Sequence, residues 1–439
     1  MGLFLSAGRY RAHGRPGHGV TSPNPLRAYA AVTAAYWAFE LSDGALRMLV
    51  LLQFNGLGFS PVQLAYLFVL YEVAGIVTNL TAGWIAARFG LARTLFSGLG
   101  LQVAALVALA QLNPAWGITA SVVFVMAVQG VSGVAKDLAK MSSKSAVKLL
   151  APTGEGTLFR WVALLTGSKN AVKGAGFFLG AALLAVVGFQ AAVLGMAGVL
   201  AAILLAIIAF LPPGLPVGKK EAKFASVWSR DTRINRLSLA RMFLFGARDV
   251  WFVVGIPVYF QMVLSDGTPL GNRAAFFLIG GFMALWIIGY GAVQANAPRL
   301  LAAKGRPDAA IIAQAIKLAA ALVPIPLALA GLVWVAGAPQ VWLSVTLVVG
   351  LLAFGFVFAL NSSVHSYLIL AFAGAGRVTM DVGFYYMATA AGRLLGTVLS
   401  GVSYQVGGLP LCLATAAAMA AASWLSARRL ATPAVNQTA

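Results

Sequence analysis

Residues 129–180 read QGVSGVAKDLAKMSSKSAVKLLAPTGEGTLFRWVALLTGSKNAVKGAGFFLG. The lysines of this stretch stand inside segments otherwise apolar enough for lipid. Lys136, Lys140, Lys144 and Lys148 recur every four residues, as do Lys169 and Lys173, so each set runs along one side of a helix. Like charges in that register repel. Between positions 136 and 173 six lysines and Arg160 face only Asp137 and Glu155. The chain supplies too few counter-charges to satisfy the site, and the missing anion is read as the ligand.

Working outward, the 439 residues are 60% hydrophobic and only 10% charged, with a mean hydropathy of +0.88. Soluble domains carry roughly a quarter charged residues, so the composition is that of an all-α, multi-pass membrane protein. Runs of about 20 apolar residues, the length that crosses a bilayer, predict twelve spans: 28–54, 61–87, 93–112, 116–139, 158–187, 190–212, 237–264, 274–298, 308–335, 340–366, 380–406 and 409–430. The net charge of +20 does not imply nucleic acid, because the cations collect in the connections of one side. With the N-terminus in the cytoplasm, Arg88, Arg93, Lys144, Lys148, the run from Lys219 to Arg236, Arg299 to Arg306, Arg377, Arg428 and Arg429 all fall inside, and Arg273 is the one loop cation outside. Both termini are therefore expected in the cytoplasm, and the bilayer is expected to be a bacterial inner membrane.

Cys412 is the sole cysteine and two of the three histidines, His13 and His18, lie in the glycine-rich leader. A multi-thiolate metal or arsenite site is excluded on that count. Neither a phosphate-cradling GxxxxGK[ST] loop nor a GxGxxG turn after a strand is found. The reading is of a non-enzyme without cofactor or metal, driven by a gradient rather than by nucleotide hydrolysis.

In chain order, residues 1–26 read as a disordered basic cytoplasmic leader, since the run GLFLSA is shorter than the roughly 7–15 residues of a signal-peptide core. A six-helix bundle follows over 27–212, then a Pro- and Gly-punctuated basic linker over 213–236, a second bundle over 237–430 and a tail over 431–439. The first span carries Glu40, Asp43 and Arg47, and the second carries Glu72. The spacing of Asp43 and Arg47 allows an ion pair on one helix. These groups and Asp249 are read either as structural pairs or as part of the coupling machinery.

Lys144 and Lys148 are close enough to a span end to snorkel. Lys169 is not: it lies about 11 residues into the fifth span, roughly 16 Å at 1.5 Å per residue, in a hydrocarbon core about 30 Å thick. A charge at that depth costs at least about 2.5–3.5 kcal/mol and points to function. Arg393, about 13 residues into the eleventh span, meets the same argument. Two offsets tie the halves together. Phe39 and Asp43 recur as Phe245 and Asp249, and Lys173 and Gly176 recur as Arg393 and Gly396. They predict two pseudo-symmetric six-helix bundles with a site at their interface. Lys136, Lys140, Lys169, Lys173, Arg248 and Arg393 are the candidate substrate-binding residues. His365 and the aromatic residues Trp251, Trp286, Tyr290, Tyr385 and Tyr386 are read as packing.

The segment GWIAARFGLART, with Gly83, Arg88, Gly90 and Arg93, resembles the loop between the second and third helices of the major facilitator superfamily, although Ala87 stands where that motif has an acid. SDGALRMLV, SGVAKDLAKMSSKSAVKLL, TGSKNAVKG and LFGARDVWFVVGIPVY are more particular, and from about Tyr29 to the last span the chain resembles the organoarsenical-efflux branch, the ArsJ-type permeases. That resemblance implies export of 1-arseno-3-phosphoglycerate, formed when glyceraldehyde-3-phosphate dehydrogenase uses arsenate in place of phosphate. Arsenate resistance follows once the expelled ester hydrolyses outside. The functional partner would be that dehydrogenase, and the transporter itself a monomer. An exchanger or exporter of phosphate, arsenate or sugar phosphates would carry the same electrostatics. A lipophilic-cation exporter would want acids in excess, and a receptor or scaffold would have no use for Lys169 and Arg393 at mid-membrane.

Overall fold

Apolar segments of this length have one economical way to hide their backbone amides from lipid, which is to become helices. A computed structural model describes residues 25–150, 157–210, 229, 231–301, 307–373 and 378–431, and among these every regular element is helical. The leader through residue 24, the linker over 211–228, Glu155 and the tail from 432 lie outside the described residues, as do the side chains of Lys144, Lys148 and Arg160.

Helix α1 is Pro25–Gly56, and α2 (Pro61–Tyr66) runs into α3 (Val69–Phe89). Then come α4 (Leu91–Leu109), α5 (Ile118–Leu150), α6 (Thr157–Val187) and α7 (Phe189–Phe210). The second half holds α8 (Thr232–Val250), a π-turn (Trp251–Gly255), α9 (Ile256–Leu264), α10 (Pro269–Leu300), α11 (Asp308–Ala321), α12 (Pro324–Ala336), α13 (Val341–Phe372) and α14 (Val378–Arg428). Among the described residues ten segments are long and apolar enough to cross a membrane. One of them, in α14, is two helices that meet at Gly407 and Gly408, the latter at φ 63° ahead of Pro410. With α14 counted as two and α1 included, the spans number twelve, within a few residues of those predicted.

Local chemistry explains where the spans start and turn. Ser60 caps α2 in a reciprocal box: its hydroxyl accepts from the Gln63 amide at 3.3 Å and its own amide donates to Gln63 Oε1 at 2.8 Å. Gly90, at φ 85°, makes the tight passage from α3 to α4 that an L side chain would strain. Pro257 lacks an amide hydrogen and crowds the carbonyl four residues back, and the seventh span widens just there into the π-turn. Ser400 Oγ accepts from the freed amides of Val254 at 3.1 Å and Gly255 at 3.2 Å.

The pseudo-repeat is physical. In the first bundle α1 packs against α6, and in the second α8 packs against α14. A Cβ on Gly176 would run into the Leu41 carbonyl oxygen, and one on its counterpart Gly396 would lie 2.7 Å from the Gly246 carbonyl oxygen. Small residues let each helix pair approach this closely. Between bundles, α6 meets α10 and α3 meets α14. Asn55 Nδ2 donates to Gln261 Oε1 at 2.7 Å, so two residues related by the repeat meet each other at one end of the interface.

Trp251, Trp286 and Tyr385 are almost fully buried, and Trp286 Nε1 donates to the Leu351 carbonyl at 2.8 Å, so these three are packing, as expected. Tyr290 and Tyr386 differ from that reading, because both line the central cavity.

Candidate substrate-binding site

The interface between the bundles encloses a cavity of about 230 Å³. All six candidate binding residues, Lys136 and Lys140 on α5, Lys169 and Lys173 on α6, Arg248 on α8 and Arg393 on α14, line it. Arg47, expected in an ion pair, and Arg241, which the sequence reading did not single out, line it too. Lys169 sits 12 residues into α6, or about 18 Å along the helix at roughly 1.5 Å per residue.

Each buried acid nearby is held by a cation, from another helix for Glu40, Asp43 and Glu72, from its own helix for Asp137, and from both for Asp249. Asp43 accepts from Lys173 Nζ at 2.5 Å and from the Tyr71 hydroxyl at 2.6 Å, while Glu40 lies 4.0 Å from the same Nζ. Glu72 accepts from Arg47 Nη2 at 3.1 Å and, across the bundle interface, from Arg393 Nη2 at 2.6 Å. Asp249 pairs with Arg248 at 2.5 Å and with Arg393 Nε at 3.7 Å. Asp137 accepts from Lys140 at 2.6 Å and bonds the Thr78 hydroxyl, and Lys140 also donates to Asn79 Oδ1 at 2.8 Å.

This corrects the expected ion pair on the first span. Asp43 and Arg47 take partners on neighbouring helices instead of each other, because Lys173 and Glu72 reach them with shorter geometry than two flexible arms one helical turn apart. The adjacency of Arg248 and Asp249 is resolved as well: they pair locally and both face the cavity. Asp43 with Lys173 and Asp249 with Arg393 are the same acid–base pair in each half, displaced by the repeat.

The charge inventory is the feature that bears on function. Eight basic side chains line the cavity, whereas Asp137 and Asp249 line it and Glu40, Asp43 and Glu72 stand behind the cations. Among the described residues the cations thus outnumber the carboxylates. Lys136 is 6% exposed and its Nζ lies 4.0 Å from the centroid of the Tyr71 ring, but among the described residues no carboxylate oxygen comes within ion-pair distance. A buried excess of charge is costly unless something pairs it. His365 is wholly buried, with neither ring nitrogen hydrogen-bonded, and is absent from the cavity lining.

Three comparisons place this geometry among known proteins. The sequence profile described as Major Facilitator Superfamily matches residues 30–369. No curated protein matches the chain. Among solved structures, the nucleoside transporter NupG superposes with a TM-score of 0.67 at 16% identity, covering 93% of this chain and 99% of that one. A bacterial homologue of the iron transporter ferroportin in an inward-facing state gives 0.66 at 14% identity, covering 93% and 99%. A structure of proton-dependent oligopeptide transporters gives 0.66 at 15% identity, covering 92% and 98%. At these identities the likeness is one of fold alone.

Proposed function

This chain belongs to the Major Facilitator Superfamily of membrane transporters, and we propose that it exports a multiply charged organic oxyanion, 1-arseno-3-phosphoglycerate, and thereby gives arsenate resistance. The single observation that carries the anionic class is that, among the described residues, basic side chains outnumber acidic ones around the cavity. An anion entering there supplies counter-charge to Lys136 and Arg241, which no described carboxylate reaches within ion-pair distance. The cavity volume also falls below the roughly 300–1,000 Å³ typical of sites for drug-sized ligands, which favours a small metabolite over a bulky lipophilic drug. Within the anionic class, the resemblance of the four quoted stretches to the organoarsenical-efflux branch supports the arsenic ester. Its two separated anionic ends match a cavity with basic groups on both bundles.

In this account Arg393 is the pivot. Its guanidinium belongs to the second bundle and bonds Glu72 of the first, so an oxyanion that competes with Glu72 for the fork changes the contact between bundles. Lysines suit rounded oxyanions as point charges, and arginine adds a bidentate fork. Alternating access is then a rocking of the bundles about the bound anion. The transporter works as a monomer in the bacterial inner membrane, both termini in the cytoplasm, and depends on glyceraldehyde-3-phosphate dehydrogenase for its substrate.

Expression in an arsenic-sensitive host, with and without that dehydrogenase, tests the reading. Resistance to arsenate, none to arsenite, and dependence on the enzyme are expected. Resistance to arsenate in a host lacking the enzyme would sink the ester reading and favour direct oxyanion export.

A further inference from the structure

Arg241 lies seven residues, two helical turns, before Arg248 on α8, and is 4% exposed. Among the described residues no carboxylate oxygen reaches it within ion-pair distance. Its bonds are to neutral groups. Nη1 donates to the Ser362 carbonyl at 3.0 Å and to Ser362 Oγ at 2.9 Å, and Nε donates to Thr389 Oγ1 at 3.4 Å. Ser362 is a hub: the Tyr290 hydroxyl lies 3.3 Å from its Oγ, Gln294 Nε2 donates to that Oγ at 3.1 Å, and Ser366 Oγ donates to its carbonyl at 2.9 Å.

Ser362 is not among the residues lining the cavity, whereas Arg241, Tyr290, Gln294, Ser366 and Thr389 all line it. The Ser366 and Thr389 hydroxyls donate to the Ser362 and Tyr385 carbonyls, so the hub holds the Gln294 amide and the Tyr290 hydroxyl beside a guanidinium whose Nη2 is spent on none of these bonds. The face of the guanidinium is occupied as well, with its carbon 4.1 Å from the Phe245 ring centroid and 5.0 Å from that of Tyr385. A buried guanidinium oriented by neutral partners and open at one edge is short of an anion. The acid-interleaved cluster of Lys173, Arg248 and Arg393 is separated from it by about 10 Å along α8, seven residues at roughly 1.5 Å each.

We infer that Arg241, with the Gln294 amide and Tyr290 hydroxyl held at Ser362, forms a second oxyanion subsite that binds the phosphate end of a two-ended organic anion. The opposite end binds at the cluster around Arg393. This rests on the oxyanion reading above and adds to it the means of selecting a two-ended substrate over a free tetrahedral anion. A guanidinium edge beside an amide that keeps a second N–H fits a phosphate monoester.

The test measures binding of two probes, 3-phosphoglycerate and inorganic phosphate, to the purified full-length protein in detergent, with wild type, Arg241→Gln and Arg241→Lys compared. Wild type is expected to bind 3-phosphoglycerate more tightly than phosphate. Arg241→Gln is expected to lower affinity for 3-phosphoglycerate by roughly tenfold or more, the worth of a charge-assisted hydrogen bond, and to leave phosphate within about twofold because the Arg393 cluster still takes it. Arg241→Lys, which keeps the charge and loses the fork, should fall between. Size-exclusion profiles and unliganded unfolding temperatures identify a variant that fails to fold, in which case the lysine variant carries the comparison. Wild-type binding of both probes with unchanged 3-phosphoglycerate affinity in the variants would overturn the subsite alone. An equal loss of both probes in a folded variant would also overturn it, as a structural role predicts. Failure of wild type to bind either probe would overturn the oxyanion reading together with it.

Discussion

Replacing Lys173 by Gln should destabilise the protein far more than replacing Arg393 by Gln, although the two residues occupy equivalent places in the repeat. Lys173 is the cation bonded to Asp43 at 2.5 Å, whose other partner is the neutral Tyr71 hydroxyl, and it is also the nearest cation to Glu40 at 4.0 Å. Removing it strands two buried carboxylates, and breaking a buried pair from one side costs about 3–5 kcal/mol. Arg393 is different because its acids have second partners: Glu72 keeps Arg47 at 3.1 Å and Asp249 keeps Arg248 at 2.5 Å. The loss there falls to about 1.5–3 kcal/mol, the worth of a charge-assisted hydrogen bond. A further change identifies the stranded group. Lys173→Gln combined with Asp43→Asn removes the charge and should recover a large share of the loss. Apparent unfolding temperatures of the purified variants, at one scan rate, give the comparison. If the double variant is no more stable than Lys173→Gln, Asp43 is not the group stranded and the pairing argument is wrong.

Other expectations follow from single contacts. Arg393→Gln should weaken transport by roughly tenfold or more and Arg393→Lys should impair it as well, because the guanidinium fork available to an oxyanion is lost; vesicle transport at matched membrane abundance checks both, with Lys148→Gln as the nearly silent comparison. Ser400→Ala leaves the Val254 and Gly255 amides of the π-turn without their acceptor, which should cost about 1–3 kcal/mol in unfolding measurements. At Gly180 a Cβ would run into the Ala45 carbonyl oxygen, so Gly180→Ala should separate α1 from α6 and lower stability by about 1–3 kcal/mol. Uptake into everted vesicles should fall when the proton gradient is collapsed, as gradient-driven export requires, and indifference to that collapse would point to anion exchange.

The helical architecture is legible in the sequence because lipid imposes one rule on every span, and a hydropathy reading detects that rule residue by residue. The cations of the site are legible for the complementary reason: Lys169 and Arg393 violate the rule at a depth where the violation is expensive. Partnerships are harder to read. Asp43 and Arg47 satisfy the i, i+4 spacing of a helix pair, yet Lys173 and Glu72 win because α1 packs against α6 and the Glu72 carboxylate of α3 lies 3.1 Å from Arg47. Arg241 escaped notice because an arginine four residues past the start of a predicted span that follows a basic loop resembles a snorkelling side chain. Its seven-residue spacing from Arg248, which puts both on one face, was the available signal. The neutral hub at Ser362 left no such trace, since its bonds join α8 and α10 to α13 over separations that local patterns do not register.

The claim that an organic arsenic ester is the cargo is tested most directly by arsenic accumulation in everted membrane vesicles containing the protein. The external medium would hold arsenate alone, or arsenate with glyceraldehyde 3-phosphate, the oxidised nicotinamide cofactor and glyceraldehyde-3-phosphate dehydrogenase. Arsenic should accumulate only with the complete enzyme mixture, and Arg393→Gln should abolish most of that accumulation. Equal accumulation from arsenate alone, or none from either mixture at verified protein abundance, would contradict the account.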